Sequence, residues 1–461
     1  MDRYLKEERI IENLENRNLK EAFSLIEDYH SLYGKTDFYY LALSDYYIFN
    51  HEYNKVIKLL NQALESGLES NEVYERLADA YFGLERYDIV LEYIEKCDLV
   101  QDNPNYIRLF ELGGFCNFKL GNYKEAIQYY EDVLMEDQNS FPAYLFGGIS
   151  YYMMGDKETG IHYLAKVLHQ CDERTMYSLS GIVSDLNRLD LIEDMETIIP
   201  DVHKHFIHYM KGYYYVNANQ LKEAISQFRM FLRKVDSYEI SIELAKLYHY
   251  TEDEQRCQDI LHDLYDGLPP MEDVPFYEEN ILFLLEMISY IDLKREEKSE
   301  TIKKWLNALS HNLLIVADLF EFSIENNFDA ISSEIMANHE NALEISIRFQ
   351  YLRVIYYVER KNYKKALGYL LIMDNQENEY IYKKYLVTVL FFLQEFNKVV
   401  DLGYELLPDG RIGMMMVGAY NELHKQEQAD AVIEYMAKFK NQEYTDKDLY
   451  LEFLEKMGGI S

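Results

Sequence analysis

Few residues in this chain have the types and spacing needed to hold a metal ion or to carry out acid–base chemistry. Three histidines, His203, His205 and His208, come nearest to a metal-binding pattern. His205 and His208 are three residues apart, which places them on one face of a helix, and imidazole nitrogens bind transition metals. His203 precedes the predicted helix, and no nearby cysteine or pair of carboxylates completes a site. The sequence therefore predicts solvent-exposed imidazoles and no metal site.

Other motifs of catalysis or cofactor binding are absent from the sequence. It contains no GxGxxG or Walker-type phosphate loop, no HExxH helix, no calcium-loop spacing and no nucleophile elbow. Acidic pairs such as Glu7-Glu8 and Glu278-Glu279 are expected by chance in a chain with 81 acidic residues. We therefore expect a protein that is not an enzyme and that uses no cofactor.

The charge balance restricts the class of partner. The chain has 81 acidic and 46 basic residues, for a formal net charge of −35. Binding to nucleic acid or to an anionic membrane surface needs a basic footprint, so both are predicted against. Such an acidic protein suits neutral or basic protein partners, and the alternative explanation of the charge is solubility alone.

Localisation is predicted to be cytoplasmic. The segment Met1 to Arg9 is charged and lacks the apolar core of a signal peptide. The most apolar stretches, Ile281–Ile291 and Leu313–Phe320, are too short or too interrupted to span a bilayer. The four cysteines are scattered without a CxxC pair, which favours buried thiols in a reducing compartment; they are Cys97, Cys116, Cys171 and Cys257.

The elements that would position any site follow from an internal repeat. A pattern of small, aromatic and turn residues recurs with a shift of 34 residues, for example from Gly114 to Gly148. A tyrosine three residues after the small residue occupies the same slot in seven copies: Tyr47, Tyr81, Tyr151, Tyr215, Tyr248, Tyr357 and Tyr420. A fixed period of this length predicts an array of stacked helical hairpins. The copies begin near Arg3, Asp37, Asn71, Ile107, Phe141, Thr175, His205, Tyr238, Asn312, Ile347, Tyr380 and Gly410.

This pattern is similar to the tetratricopeptide repeat (TPR). The copy from Leu112-Gly113-Gly114 through Ala126-Ile127 matches it best, and the resemblance covers roughly the whole chain except residues 266–311. It implies an all-α fold, an α-α superhelix of about twelve TPR-like hairpins, in which small residues let the two helices of a pair approach closely.

The predicted domains are an N-terminal array at 1–265, a joint at 266–311 and a C-terminal array at 312–461. Three of the seven prolines lie between Asp266 and Pro275, where helices cannot continue. The joint is predicted to be an atypical helical hairpin that carries Trp305, the only tryptophan. Thr445–Met457 is predicted to be a capping helix that begins at Thr445.

The resemblance implies that partner-binding residues lie on the concave wall formed by the first helix of each pair. Reading its inward positions gives an acidic strip and then an apolar, aromatic wall that also includes Leu145, Ile149, Met176 and Leu179. The predicted partner-binding residues are Asp45, Glu72, Glu75, Asp79, Glu111, Phe115, Phe118, Tyr152, Tyr209 and Tyr213. An acidic strip beside aromatic rings suits a basic or amphipathic peptide or protein. The alternatives are that the next turn of the superhelix covers these residues or that a homodimer buries them.

Three functional hypotheses follow. The first is a cytoplasmic, non-enzymatic scaffold that binds a protein or peptide in the concave groove. The second is a peptide-sensing receptor like those of Gram-positive bacteria, but without a DNA-binding domain, since the first copy begins at about Arg3. The third is an accessory subunit that tethers a separate enzyme. A clamp for a C-terminal carboxylate is predicted against, because Glu75 and Asp79 would repel it.

Overall fold

A computed structural model describes residues 3–97, 105–339, 343, 346–373, 379–407 and 409–440. Helices account for the regular structure of these residues, and none of them lies in a β-strand. The prediction of an all-α, helical-repeat fold is confirmed. The predicted capping helix at Thr445–Met457 lies outside the described residues.

The chain forms two compact units, Met1–Asp253 and Glu254–Ser461. The described helices of unit 1 are α1 (Arg3–Glu15), α2 (Leu19–Tyr33), α3 (Asp37–Phe49), α4 (Tyr53–Glu65), α5 (Asn71–Gly83), α6 (Tyr87–Lys96), α7 (Tyr106–Lys119), α8 (Tyr123–Glu136), α9 (Phe141–Met153), α10 (Lys157–Leu168), α11 (Glu173–Asp185), α12 (Leu189–Glu196), α13 (His205–Asn217), α14 (Leu221–Leu232) and α15 (Tyr238–Tyr250). Odd-numbered helices are the first members of hairpins and even-numbered helices are the second members.

The described helices of unit 2 are α16 (Glu254–Asp266), α17 (Val274–Tyr290), α18 (Arg295–Leu309), α19 (Leu313–Glu325), α20 (Asp329–Asn338), α21 (Ile347–Glu359), α22 (Tyr363–Leu370), α23 (Glu379–Phe392), α24 (Phe396–Gly403), α25 (Gly410–Glu422) and α26 (Gln426–Lys440). The observed starts of the first helices agree with the predicted starts of the copies within about two residues, the scatter usual for helix ends. The boundary between the two units lies before α16, and the joint predicted at 266–311 stays a prediction.

The tyrosine slot marks the end of each first helix. In all seven copies the tyrosine carbonyl accepts a hydrogen bond from the backbone N–H five residues later, at 2.8–3.0 Å. The residue before that N–H has a positive φ, as in Glu85 at 58° and Asn219 at 55°. This geometry closes a helix with a left-handed residue and satisfies its last carbonyls. The fixed distance from tyrosine to turn is therefore a backbone requirement, and it explains why a turn residue follows four positions later.

Small residues bring the two helices of a hairpin close together. A Cβ atom added at Gly160 on α10 would lie 2.8 Å from the carbonyl oxygen of Gly148 on α9. At Gly114 an added Cβ would lie 2.8 Å from the ring of Tyr130, which is fully buried between α7 and α8. Because real Cβ atoms do not approach neighbours so closely, these glycines fix the distance between the helices.

Several of the first helices begin at side chains that cap their N-termini. Each cap accepts a hydrogen bond from the backbone N–H of the first helical turn, as the Ser140 hydroxyl does from Ala143 at 3.2 Å. Such caps stabilise a helix by about 1 kcal/mol each. Other caps of this kind in the described residues are Thr36, Asp172, Ser237, Asn312 and Asp409.

The proline-containing segment of unit 2 is held to its own hairpin. Asp273 caps α17, and Pro275 occupies the first turn of that helix, where a missing N–H costs nothing. The Tyr277 hydroxyl donates to the carbonyl oxygen of Pro269 at 2.6 Å, and the Tyr277 ring lies beside the buried Trp305. Helices α17 and α18 thus form a hairpin with Trp305 in its core.

The four cysteines are free and buried. Burial raises the pKa of the Cys116 thiol to about 12 and that of Cys97, also near Glu75, to about 11. Such thiols are poor nucleophiles at neutral pH, and they act as small apolar core residues.

Candidate functional surface on the first helices

The first helices of unit 1 line one face of neighbouring hairpins. Helix α3 contacts α5, and α7 contacts α9, in addition to the contacts that each makes with its own second helix. We refer to the residues of α3, α5, α7 and α9 that remain accessible, or are half-buried, as the first-helix face. Eight of the ten predicted partner-binding residues lie on these four helices.

The carboxylates of the predicted acidic strip are largely paired within the chain. Both carboxylate oxygens of Asp45 accept hydrogen bonds from one edge of the Arg76 guanidinium, from Nε at 2.7 Å and from Nη2 at 2.8 Å. Asp79 pairs with Arg108 at 2.7 Å, so in both cases the arginine comes from the next repeat along the chain. These bidentate and charge-assisted bonds fix the register between repeats. Asp45 and Asp79 are thus ion-paired members of the predicted acidic strip.

Two other predicted acids also connect neighbouring repeats. Glu75 is only 6% exposed, accepts a hydrogen bond from the Asn105 amide at 2.6 Å and lies 3.7 Å from Arg108. Glu111 accepts a hydrogen bond from the hydroxyl of Ser140, the cap of α9, at 2.6 Å. Glu72 is exposed, and hydrogen bonds to its own backbone N–H and to Ser70 lower the pKa of its carboxyl group. Glu72 is therefore the member of the strip with the greatest access to solvent.

A continuous row of aromatic rings lies beside these carboxylates. The ring of Phe115 lies 5.7 Å from Phe82 and 5.0 Å from Phe146, and Phe118 lies 5.2 Å from Phe146. Phe118 is buried, whereas Phe82, Phe115 and Phe146 are half-buried and reach solvent. We call these three the aromatic row. The sequence reading missed Phe82, although it occupies the same position after Ala78 as Phe118 does after Gly114.

Tyr152 lies in the interior rather than on a surface. It is 1% exposed, and its hydroxyl donates to Asp194 at 2.6 Å. Burial first, and then the bond to Asp194, raise the pKa of Tyr152 to about 12. Arg188 and Lys157 bind the neighbouring Asp190, and the Arg188 bonds are the main reason that the pKa of this carboxyl is far below its ordinary value. Tyr152 is therefore covered in this structure, with its hydroxyl bonded to α12 and the Lys157 ammonium 4.7 Å from the centre of its ring, and its role in partner binding stays a prediction.

Tyr209 and Tyr213, which are not part of the aromatic row, both bind one carboxylate of unit 1. Both hydroxyls donate to Glu239 of α15, at 2.8 and 2.6 Å. Burial above all, with the charge of Glu239 next, raises the pKa of both tyrosines. Tyr209 is 7% exposed and Tyr213 is half-buried, so these rings mainly bond neighbouring repeats together.

The three histidines point to separate partners. The His203 ring bonds the carbonyl oxygen of Cys171 at 3.0 Å, and the His208 ring bonds the Gln227 side chain at 2.8 Å. His205 packs on the ring of Phe206, and burial lowers the pKa of its imidazole. Each of them is half-buried, whereas the sequence predicted exposed imidazoles.

Comparisons with known proteins agree with this architecture. No protein-family model matches the chain. Over 367 residues it is 23% identical to a TPR repeat-containing protein of Methanocaldococcus jannaschii, a match that covers 72% of this chain and 62% of that protein. The chain thus spans less than two thirds of the length of this curated relative.

Solved structures that are similar to the chain include other helical-repeat proteins. One is a tetratricopeptide repeat protein from Parabacteroides merdae, with a TM-score of 0.38, 16% identity and coverage of 53% of this chain and 98% of that one. Another is a pentatricopeptide repeat protein from maize, with a TM-score of 0.37, 13% identity and coverage of 99% and 71%. The register of the hairpins and this curated relative agree with the similarity to the tetratricopeptide repeat that the sequence shows. Among the described helices, none has the length and apolar character needed to cross a bilayer.

Proposed function

We propose that this TPR protein is a non-enzymatic scaffold that binds a protein or peptide on the first-helix face of unit 1. The observation that carries the proposal is the aromatic row of Phe82, Phe115 and Phe146, which reaches solvent although the adjoining rings of Phe118 and Tyr130 are buried. Half-exposed aromatic rings in a row are typical anchor points of protein interfaces.

The charges around the aromatic row support a basic or amphipathic ligand. Glu72 is exposed, and the Asp79–Arg108 pair lies on the same set of helices. The Lys119 ammonium lies 5.5 Å from the centre of the Phe115 ring, so this ring face already accepts a cation. A partner with alternating apolar and basic side chains would place the former on the rings and the latter beside Glu72.

Site-specific photo-crosslinking in the native cell tests the proposal. A photoreactive phenylalanine analogue at position 115 is expected to trap a distinct protein. The same analogue at position 392, a phenylalanine that is 46% exposed on α23 of unit 2, serves as the matched control. If position 115 traps nothing, or only what position 392 traps, the first-helix face is not the binding surface.

The trapped partner then allows the roles of charge and ring to be separated. Phe115→Ala is expected to accelerate dissociation, because a truncated anchor leaves the partner unpacked. Glu72→Gln is expected to slow association and to weaken its salt dependence, because exposed charges mainly steer encounter. Analytical ultracentrifugation of the isolated protein addresses the homodimer alternative, in which Phe115→Ala would change the mass without any partner.

A further inference from the structure

The hairpin of α21 and α22 is positively charged, whereas the chain as a whole is strongly negative. Residues 346–373 contain six basic side chains and a single acidic one, Glu359, in a protein with a net charge of −35. The basic residues are Arg348, Arg353, Arg360, Lys361, Lys364 and Lys365. A local basic surface on an acidic protein attracts acidic partners that the rest of the molecule repels.

Arg353 differs from the other two arginines of this hairpin. Arg348 pairs with Asp318 and Glu321 of α19, and Arg360 pairs with Asp329 of α20. Arg353 forms no ion pair with any residue that the structure describes. The Nε–H groups of Arg353 and Arg360 are both buried without an acceptor in the described part of the chain, so the missing ion pair is what distinguishes Arg353. Its terminal N–H groups have no carboxylate partner among the described residues, and a ligand carboxylate would supply one.

Tyrosine rings hold the Arg353 guanidinium in place. It lies 3.9 Å from the centre of the Tyr369 ring on α22. Tyr369 stacks in turn on Tyr357, with centroids 5.4 Å apart and an angle of 16° between the planes. The Lys365 ammonium lies 5.3 Å from the centre of the Tyr357 ring. A stacked guanidinium is pre-organised and keeps the N–H groups at its edge free for a planar, bidentate acceptor.

Exposed lysines also contribute to the positive charge of this hairpin. Lys361, Lys364 and Lys365 are all exposed, and none of them has an ion-pair partner among the described residues. Lys361 has a positive φ of 56° and lies at the turn between α21 and α22, so its side chain is on the edge of the hairpin.

We propose that the α21–α22 hairpin is a docking site for an acidic peptide segment of a partner protein. A carboxylate of that segment binds the Arg353 guanidinium, Lys365 binds a second carboxylate, and the tyrosine rings pack against apolar side chains between them. The charge of this surface and the unsatisfied Arg353 select for carboxylates. This site lies in unit 2 and is independent of the proposed ligand of the first-helix face in unit 1.

Fluorescence anisotropy with the full chain tests the proposal. The probe is a labelled synthetic peptide of alternating Glu and Phe residues, and its counterpart has Gln in place of Glu. The parent is expected to bind the Glu peptide and not the Gln peptide. Arg353→Gln should weaken binding by about tenfold or more, as expected for the loss of a charge-assisted bidentate bond. Lys364→Gln removes the same charge from the same hairpin and should weaken binding by about twofold at most.

Several outcomes would overturn the proposal. The first is that the parent does not bind the Glu peptide, and the second is that Arg353→Gln and Lys364→Gln weaken binding equally. The third is that inorganic phosphate displaces the peptide at the same concentration as free glutamate does. A parent dimer that Arg353→Gln dissociates would assign the surface to a second copy instead. Thermal melting of Arg353→Gln and binding by Arg353→Lys, which keeps the charge but loses the planar fork, distinguish loss of the site from loss of the fold. Binding should survive Phe115→Ala, which separates this site from the first-helix face.

Discussion

At the scale of the residue, buried tyrosine hydroxyls connect one repeat to the next. Tyr209 and Tyr213 both donate to Glu239, and burial with the nearby carboxylate raises the pKa of both phenols. Their pKa in the unfolded chain is about 10. A group whose pKa is raised in the folded state contributes stability below its unfolded pKa and loses that contribution as the pH rises above it.

The chain should therefore lose stability above about pH 10, and Tyr213 should account for part of the loss. Tyr213→Phe lacks the ionisable hydroxyl, so its free energy of unfolding should fall less steeply with pH than that of the parent. Urea unfolding at about pH 8 and about pH 11 measures the difference. Tyr250→Phe is the control, because Tyr250 is 57% exposed. A Tyr213→Phe slope equal to the parent's would contradict the prediction.

A second residue-scale prediction concerns two glycines within helices. Gly160→Ala should destabilise unit 1 by about 1–3 kcal/mol, because the new methyl group would meet the backbone of α9. Gly181→Ala in α11 should stabilise it by about 0.5–1 kcal/mol, since nothing lies within 4 Å of the added Cβ and alanine favours the helix. Thermal unfolding followed by circular dichroism checks both signs. Loss of stability in both variants would mean that the α9–α10 contact is not the cause.

At the scale of the element, each hairpin turns at a residue in the left-handed conformation. Most copies place a residue other than glycine there, and the left-handed conformation strains any side chain with a Cβ. Glu85→Gly should relieve this strain and stabilise unit 1 by about 0.5–1 kcal/mol, despite the greater entropy of glycine when unfolded. Glu85→Gln is the control for charge and should change little. In one of the two copies that already have glycine, Gly155→Ala should cost about 1 kcal/mol. Chemical denaturation measures all three.

The hairpins also show which structural features could be predicted from the sequence and which could not. Period, hairpin starts and small-residue contacts were predictable, because each depends on residues close together in the chain. The partners of Asp45 and Asp79 were not predicted, because Arg76 and Arg108 belong to the next repeat. Each arginine lies about one repeat after its aspartate in the sequence, and this spacing could have indicated the two ion pairs. Position on a first helix did not decide exposure either, since α12 covers Tyr152, and helical periodicity within α9 carries no information about α12.

At the scale of the whole molecule, the contacts between helices are local in sequence. Within each unit, every substantial helix contact is with a helix one or two places along the chain. The charged and hydroxyl bonds that cross between hairpins likewise connect successive repeats, as between Asp318 and Arg348. In such an array stability is approximately a sum of hairpin terms and nearest-neighbour terms, so a local defect spreads over a limited distance.

Hydrogen–deuterium exchange of Gly160→Ala should show how far that distance is. Protection should fall in α9 and α10, fall less in α8 and α11, and stay unchanged in α25 and α26 of unit 2, because exchange reports local opening when coupling between distant repeats is weak. Gly368→Ala in α22 is the matched control, as its added Cβ meets nothing within 4 Å. It should leave α9 and α10 unchanged. Uniform loss of protection in Gly160→Ala would instead require a cooperative coupling through the whole chain, which contacts between neighbouring hairpins do not supply.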